Sequence, residues 1–277
     1  MSGLTVSGAL GANLLLALAA LRKGSVSRGG AAAGFLTGFI IYIAGGLFFW
    51  LILGGFFVSS SLLSGLGKRQ KAGLGRLHAK GSRRDAVQVL ANGGVGGAAA
   101  LLFLYQPGPA SLAAFLASFA AASADTWASE LGVLAKGTPR SILNLKPVIR
   151  GTSGGVSLPG TLASLAGALF IALLAGCWIL WGPAAASWGY SVLPGLIFIV
   201  TAAGFAGSLV DSLLGAGVQA RYRDPSGMLT ERASSEGVPH ELVEGFSWIN
   251  NDVVNFLSIC AAAGLAWILA LIFVPTG

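Results

Sequence analysis

The sequence predicts an all-α fold: a single domain, 1–277, built as a polytopic bundle of about eight membrane-spanning helices. Three observations carry this. The chain is 55% hydrophobic and 10% charged, whereas soluble domains carry about 25% charged residues. Apolar stretches close to the roughly 20 residues that a helix needs to cross a bilayer recur from end to end. Runs such as Leu14 to Leu21 and Ala261 to Phe273 lack the two-residue alternation of a membrane β-barrel.

The spans fall at 5–21, 30–44, 46–66, 86–104, 110–135, 158–181, 190–220 and 248–273. The first is followed by positive charge and has no clear small-residue cleavage site, so it reads as a span and not as a signal peptide. Between 30 and 66, Gly45-Gly46 divides the apolar stretch into two short spans; the alternative is one span plus a re-entrant segment, giving seven crossings. The 42 glycines read as packing residues that let membrane helices approach closely. Cys177 and Cys260 lie far apart in apolar runs and read as small core residues, with neither a disulfide framework nor a zinc cluster.

All 17 basic residues sit in four loops, at 22–28, 68–84, 136–150 and 221–232. Lysine and arginine in short loops are retained in the cytoplasm. Eight crossings therefore put these loops on the cytoplasmic face of the inner, or cell, membrane and both termini outside. The net charge of +7 is then a consequence of topology, and the loops lack the interleaved aromatics of a nucleic-acid surface. His78 and His240 lie in loops without ligand-like spacing and read as solvated.

Acidic residues inside spans are costly and mark functional sites. In the fifth span Asp125 and Ser129 lie one turn apart, with Thr126 and Glu130 displaced by about 100°, so the four make one broad polar face. Glu130 stands about 9 Å and Asp125 about 16 Å from the basic loop that begins at Lys136. In the seventh span Ser208, Asp211, Ser212, Gly215 and Gln219 recur at helical steps and line one stripe. The last span opens with Asn250, Asn251 and Asp252, followed by Asn255.

Carboxylates on several helices beside lysine and arginine suit a magnesium and polyphosphate site, in which the ion takes one or two carboxylates plus phosphate oxygens. The loop Arg150-Gly151-Thr152-Ser153-Gly154-Gly155-Val156-Ser157 reads either as a plain helix start or as a turn whose N–H groups gather on one anion before a helix N-terminus. Ser59, Ser60, Ser61 and Ser64 precede Lys68 on the third span; Arg84 and Asp85 open the fourth, where Asp85, Gln88 and Asn92 share a stripe. For these the plain readings are back-bonded serines and a capping aspartate.

The strings Phe56-Phe57-Val58-Ser59-Ser60, Arg84-Asp85-Ala86-Val87-Gln88-Val89-Leu90-Ala91-Asn92, Ala124-Asp125-Thr126-Trp127-Ala128-Ser129-Glu130, Gly151 to Ser157, Gly207-Ser208-Leu209-Val210-Asp211-Ser212 and Ile249-Asn250-Asn251-Asp252 resemble the membrane family that includes plant and cyanobacterial phytyl-phosphate kinase. More distantly the chain resembles CTP-using polyprenol kinases and CDP-diacylglycerol synthase. The resemblance implies phosphoryl transfer from CTP, or another nucleoside triphosphate, to a prenyl monophosphate. It implies that Asp125, Glu130, Asp211 and Asp252 hold Mg²⁺ or position the acceptor. Lys68, Arg84 and Arg150 would neutralise phosphates, and Gly151 to Ser157 would cradle one. The expected partners are the bilayer, a prenyl phosphate and a nucleoside triphosphate; a homodimer is allowed. Family members often carry cysteines in the loop before Ile249, where Arg221 to Phe246 has none.

No Walker-type sequence occurs, which excludes a P-loop kinase. Two readings compete. A transporter or ion-coupled carrier would also use intramembrane carboxylates, yet the outer halves of the spans are nearly free of ionisable groups. A lipid-phosphate cytidylyltransferase would release pyrophosphate where a kinase releases nucleoside diphosphate.

Overall fold

A computed structural model describes residues 3–67, 83–181, 192–235 and 237–274. It contains the helices α1 (Gly3–Lys23), α2 (Arg28–Gly65), α3 (Ala86–Tyr105), α4 (Pro109–Gly132), α5 (Leu158–Trp181), α6 (Leu193–Gly217) and α7 (Asn251–Phe273). All but α4 are long and apolar enough to cross a membrane. The exception has a physical reason. Every residue of α4 from Ala110 to Ala124 is buried against other helices, so alanine and serine suffice where no lipid is met. On the surrounding helices large apolar side chains such as Leu15, Phe198 and Leu271 point outward, as a lipid-facing surface requires.

The long α2 is two helices in one. Gly46 has φ 66 and ψ −156, a backbone state open to glycine and strained for other residues. The chain reverses there. A β-carbon on Gly38 would lie 3.5 Å from the Leu53 side chain, although a straight helix would separate these residues by about 22 Å. Arg84 likewise lies against Gly30 at the start of α2 and bonds Ser61 near its end. The break expected at Gly45-Gly46 is thus a fold-back into two antiparallel halves, which with the other six helices give about eight traverses among the described residues. Gly46→Ala is expected to cost about 1–3 kcal/mol, read as a lower thermal midpoint in detergent; an unchanged midpoint would mean that the reversal is held elsewhere.

The loops converge at one end of the bundle. Ser27 N–H donates to the Arg84 carbonyl, Ser64 bonds Glu130, Gly67 abuts Leu134 and Gly154 abuts Ala216. Gln219 bridges Phe246. Lys68 and the rest of 68–82 lie outside the described residues, as do 182–191, so part of the predicted loop clustering falls there. Helix bounds differ from the spans read from hydropathy by up to three residues: α1 runs 3–23 and not 5–21, α4 stops at Gly132 and not 135, α6 at Gly217 and not 220, and α7 begins at Asn251 and not 248.

Short strands organise the loops. Between α4 and α5, β1 (Arg140–Ser141) pairs antiparallel with β2 (Gly155–Val156). Between α6 and α7, β3 (Arg221–Arg223) lies between β4 (Leu229–Thr230) and β7 (Glu241–Glu244), while β5 (Ser234–Ser235) pairs with β6 (Val238–Pro239). His240 is not simply solvated: its ring nitrogens meet Ser235 Oγ and the Arg232 carbonyl, both at 2.8 Å. Cys177 faces outward on α5 and Cys260 is half-buried, so the core-cysteine expectation fails for Cys177.

Candidate functional site beneath the loop end

Close approach of α6 to its neighbours positions the central acids. A β-carbon on Gly207 would stand 2.8 Å from the β-carbons of both Ala121 on α4 and Ala262 on α7. Four residues further along both α4 and α6 come Asp125 and Asp211. Since the two helices run in the same direction, the register that seats Gly207 on Ala121 brings Asp211 beside Asp125, where the two carboxyls act on each other electrostatically. The antiparallel α7 continues this register: Ser258, four residues before Ala262, donates to Asp211 Oδ2 at 3.1 Å. Two carboxyls side by side need positive charge between them, either a proton or a cation.

Asp125 and Asp211 are half-buried. One turn nearer the loops on the buried face of α7 is Asn255, whose Oδ1 is buried without a hydrogen-bond partner. Asp252, also buried, follows on that face. Asn250 caps α7 by accepting from the N–H groups of Asp252 and Val253, and Asn251 begins the helix. Ser208 is buried and Ser212 half-buried on α6.

The glycine-rich loop roofs this region. A β-carbon on Gly154 would lie 2.3 Å from that of Ala216, and Gly215 lies against Gly154 and Ser153. The N–H groups of Thr152 and Gly155 close turns to Ile149 and Thr152, and Ser157 caps α5 by accepting from Gly160 N–H at 3.3 Å. The glycines here serve close packing of the loop on α6, beside any part in anion binding. Arg221 locks the roof: its guanidinium donates to the carbonyls of Ser153 (2.7 Å) and Gly215 (3.0 Å) and to Glu244 (2.8 Å).

Glu231 was missed. It follows β4, accepts from the Ser153 hydroxyl and acts electrostatically on Asp211. As a lone loop acid outside any helical stripe it carried no periodic signal.

The four predicted acids do not gather into one cluster, and among the described residues no group of three or more acidic, histidine or cysteine side chains is placed to hold a metal. Glu130 belongs to a second polar group, where Ser64 donates to it. Arg84 joins that group through Ser61 (3.4 Å) and stacks over the Phe57 ring at 5.8 Å. Burial lowers the pKa of the Arg84 guanidinium from its ordinary value, and the nearby Glu130 carboxylate opposes this. The two groups share α4, with Trp127 Nε1 donating to Ser59 Oγ between them.

Residues 11–263 match the family described as integral membrane protein DUF92. The chain belongs to this family. Protein PGR of Arabidopsis thaliana is 32% identical over 265 residues, 88% of this chain and 89% of that one. Protein VTE6, chloroplastic, from the same plant is 30% identical over 239 residues, 84% of this chain and 62% of that one. An uncharacterised membrane protein of Methanocaldococcus jannaschii is 32% identical over 209 residues, covering 73% of this chain and 78% of its own. No solved structure matches.

Most of the remaining predicted residues of this DUF92 member that are described have local partners; Ser60 is the exception. Thr126 Oγ1 donates to the Ala122 carbonyl and Ser129 to that of Thr126; Ser59 back-bonds to Phe56. Asp85 forms a capping box with Gln88, and Asn92 donates to the Gln88 carbonyl. Ser60 is fully buried with its hydroxyl unpartnered. Arg150 is exposed and donates to the Gly137 carbonyl at 2.9 Å, so it braces the loop as well as being basic. Gly151 takes φ 86 at the turn.

Proposed function

We infer that this chain transfers the terminal phosphoryl group of CTP, or a related nucleoside triphosphate, to a prenyl monophosphate at the cytoplasmic face of the cell membrane. The acceptor phosphate oxygen forms a new P–O bond, the bond to the donor's bridging oxygen breaks, and the products are a prenyl diphosphate and a nucleoside diphosphate. The observation that carries this reading is the Asp125–Asp211 pair beneath a loop roof at a single end of the bundle. It is supported by the motifs that resemble the membrane family including phytyl-phosphate kinase, and by the 30% identity to Protein VTE6, chloroplastic.

Phosphoryl transfer asks mainly for positioning and charge neutralisation. A magnesium ion fits the donor set, since it takes one or two carboxylates with phosphate oxygens, and the orphaned Asn255 Oδ1 adds a hard oxygen. Asp125 and Asp211 would hold the ion, which supplies neutralisation of phosphate charge when bound. Ser258 orients the Asp211 carboxylate. Arg84 offers guanidinium donors to the acceptor phosphate, and Glu231 with Arg221 keeps the roof closed over α6. The one-sided placement lets a lipid acceptor keep its chain among the helices while its headgroup meets a nucleotide from the aqueous side.

The test is to incubate purified protein with CTP labelled in its terminal phosphate, Mg²⁺ and a panel of prenyl monophosphates. Labelled prenyl diphosphate and CDP are the expected products. Release of pyrophosphate would indicate cytidylyl transfer instead, and no turnover with any acceptor or nucleotide would remove the kinase reading.

A further inference from the structure

A narrow groove runs between α1, the two halves of α2, and α3, with a free volume of about 80 Å³ and one open side; it is a slot for a slender chain and too small for a compact ligand, whose pockets are typically about 300–1,000 Å³. Its walls are mainly apolar, with the small Ala17, Gly34 and Gly93 beside Leu16, Leu53 and Phe56, while Thr37, Gln88 and Asn92 add polar groups. Its inner end is closed by Asn13, whose amide is already used: Nδ2 donates to the Ala9 carbonyl at 2.8 Å and Oδ1 accepts from Trp50 at 3.1 Å. Nothing there calls for a polar ligand. At the loop end the groove meets Arg84 and Phe57.

Arg84 makes the groove asymmetric. A guanidinium has five N–H donors, and its long bond to Ser61 Oγ at 3.4 Å occupies one. A half-buried cation with donors to spare at the mouth of an apolar slot is complementary to a single-chain amphiphile with an anionic head. Across the mouth, Ser61 and Ser64 lie on one half-helix, and Ser64 bonds Glu130 on α4, so a headgroup at Arg84 lies on a polar track leading to the helix that carries Asp125. Along the wall, Gly30 to Thr37 spans about 10 Å, which suits the part of a hydrocarbon chain nearest the head, with the remainder running on through the open side into the bilayer.

We propose that this α1–α2–α3 groove seats the hydrocarbon chain of the prenyl monophosphate acceptor, with its phosphate on Arg84 and Ser61. The proposal rests on the kinase reading for its occupant, but binding is measured without nucleotide. Full-length protein in nanodiscs is photolabelled with geranylgeranyl monophosphate carrying a diazirine on the chain, and the adducts are mapped by mass spectrometry.

The expected result is labelling of α1 and of both halves of α2, competed by unmodified geranylgeranyl monophosphate and not by phosphatidylglycerol. Gly34→Leu, which fills the groove beside Val89, should cut labelling at least tenfold. Ala17→Phe, on the outward-facing α1, should do the same and guards against misfolding of the first variant. Adducts on other helices, equal competition by phosphatidylglycerol, or full labelling in both filled variants would overturn the proposal. Groove labelling without phosphoryl transfer would leave the proposal standing and sink the kinase reading; transfer undiminished in both variants would do the reverse.

Discussion

Replacing Asp211 by asparagine is expected to lower phosphoryl transfer by about 10²–10³-fold, the usual loss when one preorganised electrostatic group is removed from a reacting centre. Asp125→Asn should do the same, because the two carboxyls stand beside each other and act on one charge. The double variant should therefore lose little more than either single one, since residues that act as a unit are not additive. Substrate labelling in the groove should survive in all three. Glu130→Gln, in the separate group with Ser64, should reduce transfer less. Turnover within twofold of wild type in Asp211→Asn would remove that carboxylate from the chemistry.

The second large effect is structural. Gly207→Leu must push α6 away from both Ala121 and Ala262, whose β-carbons would stand 2.8 Å from the new one. Overpacking of this kind costs about 3 kcal/mol. The thermal midpoint should fall, and transfer should fall with it even in molecules that remain folded, because the same contact sets the register of Asp211 on Asp125. Gly54→Leu is the control: nothing lies within 4 Å of a β-carbon there, and its midpoint should stay near wild type. Equal behaviour of the two variants would show that α6 is not positioned through Gly207.

The bundle was legible in the sequence because two signals agreed. Apolar run length located the helices, and the positions of the 17 basic residues assigned the loops between them to one side. The Gly45-Gly46 break was legible as well, since only glycine readily takes the backbone state found at Gly46. Asp125 and Asp211 stood out as acids in apolar surroundings, but their meeting depends on the register set by Gly207, which no local pattern encodes.

What sequence reading missed follows the same logic. The strands β1 to β7 are two to four residues long, too short to show alternation. The glycines at 151–155 were read for their freedom to present N–H groups, whereas Gly154 sits against Ala216, a partner more than 60 residues away in sequence. Glu231 and Arg221 work through folded loops, where spacing carries no information about which side chains meet. Asp85 fits its plain reading as a capping residue.

The most direct test of the Asp125–Asp211 centre is divalent-ion binding, measured as Mn²⁺ uptake by electron paramagnetic resonance on the full chain in nanodiscs with CTP present. One ion per chain in wild type and in Glu130→Gln, with binding lost in Asp125→Asn and in Asp211→Asn, is the expected result. Wild-type binding in the Asp125→Asn/Asp211→Asn double variant would contradict it and move the phosphate chemistry elsewhere in the protein.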